Sequence, residues 1–337
     1  MKWILLLSLL GCAQITSLNT QKHQFGIVPL KIIWLQVAGL EEEHVSMIRF
    51  REQAEVKTSF EESLCVGKSW GYNLYQLRPS ARDSFLSQLT GKRNIKGDCE
   101  DASLRPIWSY LAETGYQTGI LEIGANTQRS IVGLNQCGEK GLTFLSNIYL
   151  WQRQQAPSGA GTWHSSDVPL VQNKIFYDRA CGQKSCSSTI LEDATAVYER
   201  LERSTRRQLL VIRDFSYLEA LEARDLVRAR EILADLERTY SYFLKETKDS
   251  NDTLLLLSTA ESRYIDMPDQ GKPWFEFEKN GSGAQTKRVE LANMVLASGA
   301  RAENFCGIYG DADVFERILS GPKQQGLELK FINPFRR

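Results

Sequence analysis

Histidine is the scarcest informative residue of this 337-residue chain: there are three, His23, His44 and His164, and none follows residue 164. Zinc needs three or four converging N, S or O donors, which argues against a histidine-built zinc centre in the second half of the chain. No C-x-x-C pair occurs, so a zinc ribbon is not expected either. An excess of one charge is also missing, since Lys plus Arg and Asp plus Glu both number 41. Bulk charge therefore points to neither nucleic acid nor an anionic membrane surface. Beyond the N-terminus no apolar run is long enough to span a bilayer. Internal repeats and low-complexity segments are absent, and Gly67-Lys68-Ser69 lacks the first glycine of a phosphate-binding loop because Glu62 stands there.

What is present is ordinary in bulk, with 42% apolar and 24% charged residues, enough to bury one large α/β core or two smaller ones. The N-terminus says more. Met1-Lys2-Trp3 is a minimal positive region, Ile4–Leu10 an apolar core, and Leu9-Leu10-Gly11-Cys12 resembles the bacterial lipoprotein cleavage box. The resemblance implies a signal peptide over 1–11, lipidation of Cys12, and a polar tether to residue 25. Two or more acyl chains suffice for stable anchoring, and Ala13 after the cysteine implies an outer-membrane lipoprotein facing the periplasm or the cell surface. Six cysteines remain, Cys65, Cys99, Cys137, Cys181, Cys186 and Cys306. They allow up to three disulfides in 15 connectivities, with free buried thiols as the alternative; only Cys181–Cys186 is close enough in sequence to pair by inspection.

The organising stretch is Leu30–His44, LKIIWLQVAGLEEEH. Its continuous apolar run reads as a central strand of a parallel sheet, buried on both faces, and the acidic run after it opens a helix from His44 to about Phe50 with His44 on an exposed side. In open α/β sheets chemistry sits at the carboxyl ends of such strands, where Ala38-Gly39-Leu40 offers no catalytic side chain. Further strands are expected at Glu55–Phe60, Gln117–Ile123, Leu142–Trp151, Gln208–Ile212, Thr253–Ser258 and Val289–Ala297, with a hairpin arm at Trp274–Glu278. Helices are expected at Ser80–Leu89, Leu104–Glu113, Ala194–Leu201, Tyr217–Thr247 and Ala312–Leu319, and 152–188 reads as a loop-rich excursion. Strands alternating with helices predict a doubly wound, mostly parallel sheet with helices on both faces, over 26–337.

Several of these stretches together resemble the alkaline phosphatase/sulfatase superfamily. Ser80–Arg93, SARDSFLSQLTGKR, is similar to its nucleophile helix ending in Thr-Gly. Trp108–Glu122, WSYLAETGYQTGILE, is similar to the segment after it, and Asp252–Glu261, DTLLLLSTAE, to the strand delivering an Asp-His metal pair. Leu296–Leu319 resembles the late strand, turn and terminal helix. The family's chemistry uses zinc, or calcium in sulfatases, to activate a nucleophile at a helix N-terminus that holds the anionic ester. Carried over residue by residue, the resemblance places the first metal-binding Asp on Ala38 and the nucleophile on Ala81. It places the Asp-His pair on Glu261-Ser262, the Asp-x-x-x-His motif on Asp214 and Leu218, and the late His near Arg288.

The expectation is therefore a degenerate member of that fold, a pseudoenzyme with no cofactor, binding a protein partner or a small anion through the old site. The alternatives are a zinc- or calcium-dependent phosphate- or sulfate-ester hydrolase with rearranged ligands (Ser80, Asp214 and Glu261 in the active roles), and a structural envelope protein. Ser80 reads first as a helix N-cap. Arg78 and Arg82 are anion-binding candidates that read first as solvated charge. Trp70, Tyr72 and Tyr75 read first as core packing and second as a ligand cleft. No nucleic-acid partner is expected; the membrane is reached through Cys12.

Overall fold

The computed structural model describes residues 28–51, 57–124, 126, 128–182, 185–268, 271–280, 285–288 and 291–319. The expected signal peptide, Cys12 and the tether lie outside them. The chain opens with β1 (Lys31–Ala38), α1 (Glu43–Arg51), β2 (Cys65–Trp70), α2 (Ala81–Thr90), α3 (Ile107–Ala112) and β3 (Gln117–Ile123). It continues through α4 (Glu139–Phe144), β4 (Ile148–Arg153), β5 (Gly161–Trp163), β6 (Ile175–Asp178), α5 (Ile190–Glu202), β7 (Gln208–Asp214), α6 (Ser216–Glu222) and α7 (Leu226–Asp249). It closes with β8 (Thr253–Ala260), β9 (Arg263–Asp266), α8 (Gly271–Asn280), β10 (Gln285–Arg288), β11 (Ala292–Gly299), β12 (Gly307–Gly310) and α9 (Asp313–Leu319).

Ten strands form one sheet in the order β12-β2-β11-β8-β1-β7-β3-β4-β6-β5, and β9 and β10 form a separate ribbon. Within the large sheet every neighbouring pair is parallel except the two made by β11. The stretch taken as central is so: β1 lies between β8 and β7. Side chains alternate across a strand, and β1 sends Ile33, Leu35 and Val37 into one core and Ile32 and Trp34 into the other. Helices α1, α5, α6 and α7 cover the first face, and α2, α3, α4 and α9 the second. That double cover is why the strands need unbroken apolar runs rather than alternation.

Several expectations need correction. Trp274–Glu278 belongs to a helix, α8. Leu142–Trp151 splits into the end of α4 and β4, and Val289–Ala297 shifts to β11. The described part of Glu55–Phe60 is irregular chain leading into a turn, and the strand nearby is β2, hidden by its glycine and polar residues (CVGKSW). The long helix at Tyr217–Thr247 is two helices, broken at Arg224, whose φ of 57° is left-handed. Residues 152–188 are more than an excursion, because β5 and β6 extend the sheet beyond β4. All six cysteines pair, as Cys65–Cys306, Cys99–Cys137 and Cys181–Cys186.

Candidate functional site

The site expected from the resemblance lies where β1, β7 and β8 end beneath the N-terminus of α2. It is built in three layers, and the lowest is a row of polar side chains. Gln36 is in register with Arg213 and with Ser258, and Glu122 with Arg213 and Gln152. All five are buried and project toward α2. Arg213 Nη1 donates to Glu122 Oε1 at 2.5 Å and Arg213 Nε to Gln36 Oε1 at 3.1 Å. Glu122 also accepts from Gln152 Nε2 (2.5 Å), from the Ile131 amide (3.0 Å) and from the Ser130 hydroxyl. Gln88 of α2 links Gln36 and Ser258 to Asp311, whose carboxylate also accepts from Ser69, Ser84 and Asn293. Burial pushes Asp311 up to about 6 and acts downward on the Arg213 cation, which Glu122 holds in place.

One residue further along each strand face the chemistry changes. Ala38, Ala260 and Phe215 follow Gln36, Ser258 and Arg213 on the same face, and they pack with Ala81 and Phe85 of α2 and Leu218 of α6 into one buried apolar cluster. Burying Phe85, Phe215 and Leu218 stabilises by roughly 1.5–3 kcal/mol each. Gly39, just beyond Ala38, has φ +85°, and a Cβ there would meet Leu218 Cα at 3.0 Å. Glycine thus lets α6 close onto the strand end.

The top layer is ionic. Glu261, left-handed at φ 50°, accepts from the Ala81 amide at the start of α2 (2.9 Å) and from Arg263 Nη2 (2.9 Å). Arg263 also reaches Glu222 (3.0 Å), which Arg129 holds at 2.6 Å. The α2 N-terminus, where an anionic ester would be expected, is thus occupied by the chain's own carboxylate.

The remaining site residues fall as follows. Ser80 is the N-cap of α2, accepting from the Asp83 amide at 3.2 Å, and Gly91 ends the helix at φ 67°. Asp214 is in register with Val37 and Ile123, so it leaves the sheet on the face opposite the apolar cluster. There it accepts from the Tyr217 amide (3.0 Å) and the Ser216 hydroxyl (2.9 Å) in the first turn of α6. Burial raises it to about 6. Ser262 donates to Leu40 O at 2.8 Å, tying two strand ends together. Arg288 pairs with Arg263 on the β9–β10 ribbon, and its side chain lies outside the described residues. Arg82 donates to Gly97 O at 3.4 Å and lies 3.8 Å from Asp83, while Arg78 is exposed.

Asp214 and Glu261, which the hydrolase alternative would put in active roles, are each engaged at a helix start, and no described bond joins them. Around Ala38 the packed side chains are the apolar ones of Ala81, Phe85, Phe215, Leu218 and Ala260, none of which can ligate zinc or calcium itself. Two further expectations fail. His44 is buried, with the Tyr217 hydroxyl 2.9 Å from its Nδ1, and burial pushes it down to about 3. Trp70, Tyr72 and Tyr75 are 40%, 43% and 58% exposed, with Leu74 and Leu77 exposed between and beyond them, so they are not core. The polar row was missed altogether. Its signal is one polar residue near the end of each apolar run, as in WLQVA, ILEIG, YLWQR, LVIRD and LLLST.

No family model matches the sequence, and no curated protein matches it significantly. Solved structures do. The alkaline phosphatase of the Antarctic bacterium TAB5 superposes with a TM-score of 0.66 at 11% identity, over 87% of this chain and 97% of that one. The cold-active alkaline phosphatase of Shewanella sp. gives 0.67 at 12%, over 86% and 98%. That of Thermus thermophilus gives 0.62 at 12%, over 91% and 95%. At such identity the likeness is one of architecture, and the architecture of this chain is the alkaline phosphatase fold.

Proposed function

We propose that this chain is a non-hydrolytic relative of the alkaline phosphatases and sulfatases, filled from within at the site where those enzymes work, and that it binds a protein partner at the bacterial envelope. One observation carries the reading: the cluster of Ala38, Ala81, Phe85, Phe215, Leu218 and Ala260 occupies the strand ends beneath α2. A metal ion there would meet methyl groups and ring faces instead of ligands, and an unassisted Ser80 hydroxyl engaged in capping is a poor nucleophile. A free anion would have to displace Glu261 from the Ala81 amide, which favours a protein partner over a small anion. The loop entering α2 supports the same choice, since Tyr72, Leu74, Tyr75 and Leu77 are exposed together and contiguous exposed apolar groups mark interaction surfaces. In this reading a lipidated Cys12 tethers the domain to the outer membrane.

The test is direct. Oxidised protein, supplied with zinc, magnesium or calcium, is expected to turn over neither chromogenic phosphate nor sulfate esters and to retain no stoichiometric ion. Turnover abolished by Ser80→Ala or Asp214→Asn would overturn the reading in favour of the hydrolase. For the partner, Leu74→Ser/Tyr75→Ser is expected to keep the melting temperature and lose capture of envelope proteins. Unchanged capture would remove the loop from the proposal. Deleting 152–188 is not a usable test, because it would strip β5 and β6 from the sheet.

A further inference from the structure

A second cluster lies at the end of β6, three strands from β7 in the sheet order, and the proposed function does not use it. Asp178 ends β6 and is 1% exposed. Cys181 and Cys186 face each other across an isolated antiparallel bridge and are joined as a disulfide. Among the described residues, these three form the group whose carboxylate and sulfur atoms all lie within 4.8 Å of one another. Cys181 Sγ is 3.6 Å from Asp178 Oδ2. Behind them the Ser188 hydroxyl lies 2.9 Å from Asp178 Oδ2 and 2.9 Å from Asp193 Oδ2. Asp193 is itself 1% exposed, and its Oδ1 has no hydrogen-bond partner. Arg153 Nε offsets part of this charge, at 2.7 Å from Asp193. The two buried carboxylates share the Ser188 hydroxyl; the Arg153 guanidinium pairs with Asp193 alone, Asp178 Oδ1 accepts from the Ala180 amide at 2.8 Å, and a buried carboxylate oxygen without a donor is costly. The cluster is short of positive charge.

We propose that Asp178, Cys181 and Cys186 form a zinc site that is masked by the disulfide and opened by its reduction. A dithiol reductant delivers two electrons and two protons to the S–S bond; it leaves as a cyclic disulfide, and the protein gains two thiols. Zinc then displaces both thiol protons and is held by two thiolates and the Asp178 carboxylate, with water in the fourth position. The C-x4-C spacing is within the range of zinc sites, and mixed sulfur and carboxylate donors suit zinc. Ser188 and Asp193 stand behind Asp178 as the groups that orient it. The proposal is independent of the filled cleft, because the reading above concerns oxidised protein and a different part of the sheet.

Full-length protein, oxidised or reduced with a dithiol and freed of reductant anaerobically, is titrated with cobalt(II), whose thiolate charge-transfer band reports sulfur ligation. Zinc is then titrated against a chromophoric chelator. Reduced wild type is expected to take up one equivalent more than equally reduced C181S/C186S, which subtracts the thiols of the other two disulfides. Oxidised protein is expected to give no thiolate band. Asp178→Asn keeps both thiols and is expected to weaken zinc binding by more than about tenfold. If that variant does not fold, Cys186→Ser at the partly exposed position serves as the comparison, losing the extra equivalent. Equal uptake by reduced wild type and C181S/C186S, or wild-type affinity in Asp178→Asn, would overturn the site.

Discussion

Replacing Leu218 by histidine restores the Asp-x-x-x-His pattern with Asp214 and so puts the filled cleft to a direct test. Leu218 is fully buried among Ala38, Ala81, Phe85, Phe215 and Ala260. Losing its packing costs about 2–5 kcal/mol by analogy with large-to-small core substitutions. The imidazole also sets a polar ring among the apolar side chains of this cluster. At pH 7.5 the ring is neutral in folded and unfolded chains alike, as His44 is when buried, so the packing loss is read alone. An unfolding entropy of about 2.1 cal/mol/K per residue comes to ~0.7 kcal/mol/K over the chain, and Leu218→His should lower the melting temperature by about 3–7 °C. The second arm adds zinc to the oxidised variant. Asp214 is committed to Ser216 and Tyr217 on the opposite face of the sheet, and Ala38 and Ala260 supply nothing, so no zinc-dependent rise is expected. A working site at roughly a hundred times its Kd would return about 2.7 kcal/mol, or ~4 °C. Such a recovery, or a neutral Leu218→His, would refute the layered description of the cleft.

Glu122→Gln leaves the buried Arg213 guanidinium without its counter-charge and should cost about 3–5 kcal/mol; the Glu122→Gln/Arg213→Met double variant should melt higher than the single one. Glu261→Ala should cost about 1 kcal/mol as a lost helix-end contact. By freeing the Ala81 amide it should also let millimolar sulfate raise the melting temperature, an effect expected to be absent in wild type. His44 gives a pH signature. Its folded pKa of about 3 lies below an ordinary value near 6.5, so its contribution is fully present above about pH 6.5 and is lost as pH falls toward 3. The slope is about 1.4 kcal/mol per unit, and His44→Gln should flatten that limb of a melting-temperature profile. Asp311 acts with the opposite sign. Raised to about 6 from 3.8, its contribution is complete below pH 3.8 and is lost as pH rises through 6; Asp311→Asn should remove that fall.

The architecture was legible where burial alone dictates sequence. KIIWLQVA, QTGILEI, QLLVIRD and TLLLLSTA are strands because both faces are covered, and the Ser80 cap and Gly91 stop delimit α2 as their chemistry requires. Edge elements were not legible. In β2 the alternation of buried Cys65, Gly67 and Ser69 with more exposed residues is too polar to stand out, and β6 carries only four residues. His44 was misplaced because an acidic helix start says which end carries charge and nothing about which side faces inward; Tyr217, 173 positions away, settles that. The same limit hid the polar row. Each member looks like a blemish in an apolar strand until strand order sets Gln152, Glu122, Arg213, Gln36 and Ser258 side by side.

The layering has a consequence for attempts to install activity. Cutting back the apolar cluster alone would expose Phe85 and Phe215, whose rings lie 5.8 and 5.3 Å from the Arg213 guanidinium, and would let water reach a buried ion pair that excludes it. Removing Glu261 alone frees one amide but leaves the strand ends capped by methyl groups. Ligands placed at Ala38 or Leu218 alone are buried polar groups without partners, each costing roughly 1–3 kcal/mol until a metal arrives. Those costs fall before any benefit is realised, and the shared packing makes them non-additive. Single substitutions toward a metal site should therefore all destabilise, and only a set that supplies three or four donors together while releasing Glu261 can bind the ion that would offset them. A lone substitution at Ala38, Ala81 or Leu218 that gained both stability and ester hydrolysis would show that the cleft is less completely filled than its packing indicates.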